Sequence, residues 1–203
     1  LRGLYIITDE ILTPYSKIET LVEQSLKGSA KIVQFRDKNS SYKEAFEVAK
    51  KLKNLTKSYG ATFIINDNIK LAIELDCDGV HIGLDDGELK EAKKDLKDKI
   101  VGVSCYNDLE RAKKLASLGA DYVAFGAFFK SSTKPNAPLA QIETLKEAKR
   151  VLNVPVCTIG GITLPKAQNL VTNGADMLAV ISDIWKSENI EKQSREYSKL
   201  WKR

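Results

Sequence analysis

Apolar residues fall along this chain in two alternating rhythms. Short runs rich in β-branched side chains read as buried strands: Leu4 to Ile7, Ile32 to Phe35, Thr62 to Ile65, Gly79 to Ile82, Ile100 to Val103, Tyr122 to Phe125, Val156 to Ile159 and Met177 to Ile181. Between them the apolar positions recur at helical spacing. Ile18, Leu21, Val22 and Leu26 line one face of Ser16 to Lys27, and Ala45, Val48, Ala49, Leu52 and Leu55 line another within Tyr42 to Tyr59. Shorter or more polar helices are predicted over Ile69 to Leu75, Glu88 to Lys99, Asp108 to Leu118, Gln141 to Val151 and Leu164 to Thr172. A closing helix carries Ile184, Trp185, Ile190, Tyr197, Leu200 and Trp201. Gly28, Gly60 and Gly119 stop the helices before them.

Strand and helix alternate with a period of about 25 residues, as parallel βαβ units require. Eight such units favour an α/β chain closed into a (βα)8 TIM barrel over an open sheet. The barrel takes residues 1–203 as a single domain, since no linker or shift of composition divides them. One internal regularity agrees with closure. Lys27-Gly28-Ser29-Ala30, Leu118-Gly119-Ala120-Asp121 and Asn173-Gly174-Ala175-Asp176 each precede an even-numbered strand, with Asp76-Cys77-Asp78-Gly79 as a looser copy. A recurring helix stop followed by a strand is the trace of a repeated (βα)2 element.

Composition narrows the function classes. A hydrophobic fraction of 43% beside 29% charged residues suits a soluble enzyme, and no apolar run approaches the roughly 20 residues that cross a bilayer. The opening Leu1-Arg2-Gly3-Leu4-Tyr5 has no signal-peptide hydrophobic region. The three cysteines, Cys77, Cys105 and Cys157, are widely spaced and form neither a disulfide framework nor a zinc pattern, so a reducing, cytoplasmic setting is expected. The net charge of +5 lies largely in mixed Glu/Lys helix faces such as Glu88 to Lys99, without the aromatic interleaving of a nucleic-acid surface.

In a barrel of this kind the chemistry sits at the C-terminal ends of the strands. The second strand ends in Gln34, Arg36 and Lys38, three polar side chains at every second position. They are either the solvated face of an edge strand or a clamp in which Arg36 offers a planar fork and Lys38 a point charge to phosphate oxygens. Asp67 and Asp86, on adjacent tips, are either helix N-caps or ligands of Mg²⁺, which needs only one or two carboxylates besides water and phosphate. Gly160-Gly161 before a helix, with Ser182 at the next strand end, is a tight turn or a phosphate site. The long connection Gly126 to Pro138 carries Lys130-Ser131-Ser132-Thr133-Lys134 and is expected to be functional for its length. His81, the chain's one histidine, falls inside the fourth strand and reads as structural. No nucleophile with a paired base is visible, so the chemistry calls for a good leaving group stabilised by metal and cations.

The series Gln34-Phe35-Arg36-Asp37-Lys38, Ile65-Asn66-Asp67, Asp78-Gly79-Val80-His81-Ile82-Gly83, Gly102-Val103-Ser104, Thr133-Lys134-Pro135, Ile159-Gly160-Gly161-Ile162 and Ile181-Ser182 resembles, in order, the motifs of the thiamine phosphate synthases. The resemblance runs from the first strand to the eighth. It implies Mg²⁺-dependent transfer of the 4-amino-2-methylpyrimidin-5-ylmethyl group from its diphosphate to the nitrogen of a thiazole phosphate, the diphosphate leaving first. It also implies that Gln34, Arg36, Lys38, Asn66, Ser104 and Lys134 contact the pyrimidine diphosphate, with Arg36, Lys38 and Lys134 as the catalytic cations. Asp67 and Asp86 would hold the metal, and Ser131, Ser132, Thr133, Gly161, Ile181 and Ser182 the thiazole phosphate. The partners are then two small molecules, with neither nucleic acid nor membrane, and a homo-oligomer is compatible.

The sequence departs from that pattern where Leu84 replaces a common Gln, Lys130 a frequent Pro, and Cys105-Tyr106 a common Thr-His pair. A related branch of thiazole tautomerases uses a histidine after the position of Ser104. Its absence here, with the cationic clamp intact, favours the synthase over that branch and over a non-catalytic phosphate-binding barrel.

Overall fold

In the computed structural model, which describes residues 1–83, 86–130 and 139–201 (for 86–88 the backbone alone), the two rhythms resolve into eight parallel strands and the helices between them. The strands are β1 (Gly3–Ile7), β2 (Ile32–Phe35), β3 (Thr62–Asn66), β4 (Gly79–Ile82), β5 (Ile100–Tyr106), β6 (Tyr122–Phe125), β7 (Val156–Ile159) and β8 (Met177–Val180). They close in sequence order, β8 pairing with β1. Closure leaves no edge, which removes the solvated edge-strand reading of β2. The helices are α1 (Ile18–Lys27), α2 (Tyr42–Ser58), α3 (Ile69–Glu74), α4 (Asp86–Leu96), α5 (Leu109–Ser117), α6 (Ile142–Val151), α7 (Leu164–Thr172), α8 (Ser182–Trp185) and α9 (Ile190–Lys199).

Of the boundaries that differ from those the sequence predicts, three shape the mouth of the barrel and its last helices. β5 runs on to Tyr106, with a register shift against β6 between Ser104 and Tyr106, so polar residues past the apolar run still pair. β8 ends at Val180, and Ile181 (φ −117°, ψ −87°) turns out of it into α8. The closing helix is two helices, α8 and α9, because Asn189 caps the second by accepting from the Lys192 N–H.

Alternation along each strand divides the apolar residues between two cores. Leu4 and Ile6 of β1 face outward into the layer beneath the helices, with Val22, Leu52, Leu71, Leu115, Leu145 and Leu170. Tyr5 and Ile7 face inward, with Ile32, Ile64, Tyr122, Cys157 and Met177, and fill the barrel so that it has no pore. Gly102 makes this filling fit. A β-carbon there would lie 1.9 Å from the Tyr122 ring, so β5 must carry a glycine where the β6 tyrosine crosses the interior.

The repeated element acquires a physical basis at the opposite end from the strand tips. Asp78, Asp121 and Asp176 each precede an even strand, and each carboxylate accepts from a backbone N–H of the preceding odd strand: Phe63 at 2.7 Å, Val101 at 2.7 Å and Val156 at 2.9 Å. Lys93 and Lys149 pair with the latter two aspartates. These aspartates fasten the base of the barrel. The helix stop itself moves between copies: Gly119 and Gly174 take positive φ, whereas Gly28 does not and Ser29 takes the left-handed conformation instead.

Candidate active site

The tips of β2, β3 and β4 are adjacent in the sheet, Phe35 standing opposite Ile65 and Asn66 opposite His81, so the polar residues beyond them share one rim. Arg36 is fixed first through its backbone. Thr8, at the end of β1 and 1% exposed, accepts from the Arg36 N–H at 2.9 Å and donates to the Arg36 carbonyl at 3.2 Å. The guanidinium then reaches the Glu10 carboxylate, Nη1 to Oε2 at 3.0 Å, while Glu10 Oε1 accepts from the Lys38 N–H at 3.0 Å. Asp37 points the other way. It accepts from Tyr15 and from the N–H groups of Asn39 and Ser40. Although burial opposes its charge, these donors hold its carboxyl below the usual range. Thr8, Asp9, Glu10, Arg36 and Asp37 line a hollow behind this rim, and Asp9 itself is used up in a turn, accepting from Ile11 and Leu12.

Asp67 is not a helix cap. The cap of α3 is Asn68, whose side chain accepts from the Leu71 N–H at 2.9 Å. Asp67 instead holds a left-handed backbone, φ 59°, a conformation uncommon outside glycine, asparagine and aspartate. Its Oδ2 accepts from Asn66 Nδ2 at 2.8 Å and lies 3.7 Å from Lys38 Nζ. Oδ1 makes no hydrogen bond among the described residues, and it faces Gly83 at the end of β4, where a β-carbon would stand 4.0 Å away. The carboxylate is about half exposed, at 52%. The expected second ligand, Asp86, begins α4, but its side chain lies outside the described residues. Among the described residues no three or more His, Cys, Asp or Glu side chains gather as a metal cluster.

Gln34 and Ser104 meet from opposite sides of the barrel through residues that the sequence patterns do not single out. Gln34, 3% exposed, points inward and donates to Tyr5 Oη at 2.6 Å. The Tyr5 and Tyr122 hydroxyls are 2.9 Å apart. Tyr122 Oη lies 2.9 Å from His81 Nδ1, and His81 Nε2 lies 3.0 Å from Ser104 Oγ. Burial lowers the His81 pKa to about 4 against the pull of Asp67, so the ring is neutral at pH 7, as a structural reading requires. Burial likewise pushes both phenols up, keeping them protonated.

On the far side of the mouth, Gly160 and Gly161 carry φ of 101° and 61°. A β-carbon on Gly161 would lie 2.5 Å from the Lys130 carbonyl, so glycine lets the connection after β6 lie against the β7 tip. Phe128 and Phe129 N–H groups donate to Ile159 and Gly160 carbonyls, each at 3.0 Å. Ser182 opens α8, which is tied to neighbouring elements: Asp183 accepts from the Leu164 N–H at 3.2 Å and Trp185 Nε1 donates to the Ile7 carbonyl at 2.7 Å. The β7 and β8 tips are thereby joined, with Gly161, Ile181 and Ser182 at that junction. Ser131, Ser132, Thr133 and Lys134 lie outside the described residues.

Against this geometry the comparisons with known proteins are specific. Residues 4–184 match the family model described as thiamine monophosphate synthase. The thiamine-phosphate synthase of Methylobacillus flagellatus is 46% identical over 99% of this chain and 96% of its own length. That of Nitrosococcus oceani is 41% identical over 97% and 91%. Among solved structures, a thiamine phosphate pyrophosphorylase from Pyrococcus furiosus superposes with a TM-score of 0.89 at 34% identity, over 98% of this chain and 94% of that one. With sequence and architecture agreeing along nearly the whole polypeptide, the chain belongs to the thiamine monophosphate synthase family.

Proposed function

We propose that this chain is a thiamine-phosphate synthase, joining the 4-amino-2-methylpyrimidin-5-ylmethyl group of a diphosphate to the ring nitrogen of a thiazole phosphate and releasing pyrophosphate. The supporting observation is that the cations beyond β2 and the carboxylate beyond β3 stand on adjoining strand tips, Lys38 Nζ lying 3.7 Å from the Asp67 carboxylate. Cations beside a carboxylate oxygen suit a diphosphate whose charge is shared with a divalent ion.

Mg²⁺ is the cofactor in this reading, and Asp67 suits it, its Oδ1 making no hydrogen bond among the described residues while Oδ2 is steadied by Asn66. Asp67, with Asp86, would hold the ion. Bound there, Mg²⁺ supplies neutralisation of diphosphate charge. Arg36 would grip phosphate oxygens with its planar fork, and Lys38 and Lys134 would follow the charge as it grows on the leaving group. The carbon–oxygen bond breaks with its electron pair on the departing pyrophosphate, and the thiazole nitrogen then gives its lone pair to the pyrimidinylmethyl cation.

Gln34, Asn66 and Ser104 would hold the pyrimidine portion and its diphosphate, and Ser131, Ser132, Thr133, Gly161, Ile181 and Ser182 the thiazole phosphate. No enzymic nucleophile or base is needed, in keeping with one neutral histidine and with buried Cys77 and Cys105 thiols pushed up to about 12. A cytoplasmic site of action belongs to the same reading, in keeping with three cysteines that remain free thiols.

The test mixes purified protein with Mg²⁺, the pyrimidine diphosphate and the thiazole phosphate. Thiamine phosphate and pyrophosphate are expected in equal amounts. Isomerisation of the thiazole ring without coupling, or ligand binding without product, would replace this reading with a tautomerase or a binding barrel.

A further inference from the structure

Ser41, Asn68, Asp108 and Asn189 each stand one residue before a helix, α2, α3, α5 and α9 in turn, and accept a backbone N–H of the helix they precede. α7 is capped by a different unit. Its own N-cap, Thr163, makes no side-chain cap bond, and Pro165 has no N–H to give. The Leu164 N–H is taken up instead by Asp183 Oδ2 at 3.2 Å, nineteen residues further along. The same oxygen accepts from Gln193 Nε2 at 2.8 Å and from Tyr197 Oη at 2.7 Å, both on α9. Tyr197 is fully buried and lies 3.5 Å from the Ile162 carbonyl. Asp183 thus gathers α7 and α9 onto α8 through one carboxylate oxygen.

The place of this junction gives it a consequence. The ladder between β7 and β8 ends where Ile159 stands opposite Ala179. Gly160, Gly161, Ile181 and Ser182 lie beyond it, where no strand pairing fixes the distance between the two tips. Among the described residues the only hydrogen bond from the turn between β7 and α7 to α8 is that of Leu164 to Asp183. The other tie of α8, Trp185 Nε1 to the Ile7 carbonyl, runs to β1 and leaves the β7 side unfixed.

We infer that Asp183 is a positioning residue for the thiazole phosphate: it sets the separation of Gly161 from Ile181 and Ser182, and through it the affinity for that substrate, without touching the substrate itself. The inference rests on the proposed function, which puts those three residues against the thiazole phosphate. A carboxylate one residue from Ser182 would by its charge repel a phosphate, so its contribution lies in the hydrogen bonds it accepts and not in its field. The effect is confined to one substrate. Arg36, Lys38 and Asp67 stand beyond β2 and β3, with β1 between them and β8, and no hydrogen bond of Asp183 reaches that rim.

The test measures KM for each substrate with the other saturating and Mg²⁺ present, beside urea unfolding of each protein. In Asp183→Ala the KM for the thiazole phosphate is expected to rise at least about tenfold while that for the pyrimidine diphosphate changes less than about twofold, as when binding groups are misplaced by a fraction of an ångström. Asp183→Asn keeps an oxygen for the three donors and is expected to bring the first KM back to within about threefold of wild type. Tyr197→Phe removes one of those donors and serves if the alanine variant does not fold; a rise of about two- to fivefold in the same KM is expected. Lost stability with both KM values unchanged, or equal rises in both, overturns the positioning role, as does an asparagine variant no better than alanine. A wild type that makes no thiamine phosphate from the two substrates overturns the function reading, and this inference with it.

Discussion

Arg36 and Glu10 are paired at the mouth of the barrel, between the adjoining ends of β2 and β1, Nη1 to Oε2 at 3.0 Å, and the same carboxylate accepts the Lys38 N–H through its other oxygen at 3.0 Å. Glu10 therefore does two things with opposite consequences for an anion. It orders the loop that bears the cations, and it sets a negative charge where a diphosphate has to bring its own.

Glu10→Gln separates these effects, because the amide still accepts the Lys38 N–H but carries no charge. The KM for the pyrimidine diphosphate is expected to fall about 2–5-fold, the scale of a partly exposed ion pair. Glu10→Ala, which also loses the backbone anchor, is expected to raise it. A rise in both variants would show that Glu10 serves only to orient Arg36.

Removing the cations bears on turnover itself. Arg36→Ala and Lys134→Ala are each expected to lower kcat at least about 100-fold, as when a preorganised group facing transition-state charge is lost. Near-normal kcat in either variant, measured as thiamine phosphate formed under saturating substrates, removes that residue from the catalytic set.

Asp67→Asn is the sharper probe of the metal. Asparagine tolerates the left-handed backbone at φ 59°, so the β3 tip keeps its shape while the charge disappears. The Mg²⁺ concentration for half-maximal activity is expected to rise at least about tenfold. An unaltered Mg²⁺ titration would reject Asp67 as a ligand.

The fold and the rim are largely legible in the sequence because each is written in a local pattern. Apolar runs and helical periodicities supply the element order, and the residue after each run lies at a tip by geometry. Thus Gln34, Arg36, Lys38, Asn66, Asp67 and Ser104 can be named from the sequence as residues at or just past the ends of β2, β3 and β5, and the structure puts them on or beneath one rim. Tyr5 and Tyr122 cannot, since an inward-facing tyrosine inside an apolar strand looks like any other buried aromatic. The roles of Glu10 and Thr8 are hidden for another reason: their partners lie at sequence separations of 26 and 28 residues, and nothing local announces the pairing. Gly102 does offer a signal, a glycine inside a strand, whose meaning appears only once the opposite ring is known.

That glycine gives a direct stability test. Gly102→Ala would drive a methyl into the Tyr122 ring from 1.9 Å, and the ring is held by hydrogen bonds on both sides. A loss of about 3 kcal/mol is expected on urea unfolding, at the upper end for overpacking. Unchanged stability would mean that β5 can move away from β6 at little cost.

Protonation of the lone histidine should register in stability as well. The folded-state pKa of about 4 lies below the ordinary value of 6.5, so the unfolded chain binds more protons between them. His81 thus contributes stability that is fully present above about pH 6.5 and lost progressively as pH falls toward 4, on the order of 3 kcal/mol. Unfolding free energies of wild type and His81→Gln across this window should converge at the acid end. Because the chain has one histidine, its ring-proton NMR titration can be read without assignment, and a folded-state midpoint near 6.5 would contradict the account.

The aspartates at the foot of the barrel divide the molecule in a way the closed sheet conceals. Asp78 stitches β4 to β3, Asp121 stitches β6 to β5, and Asp176 stitches β8 to β7, whereas among the described residues no equivalent aspartate stitches β5 to β4 or β7 to β6. The ring is in this respect a set of parallel couples joined by plainer seams. New chain ends opened at a seam, between α4 and β5, would leave every couple whole, while ends opened between α5 and β6 would cut one apart, so circular permutants of this barrel should tolerate the first cut better than the second.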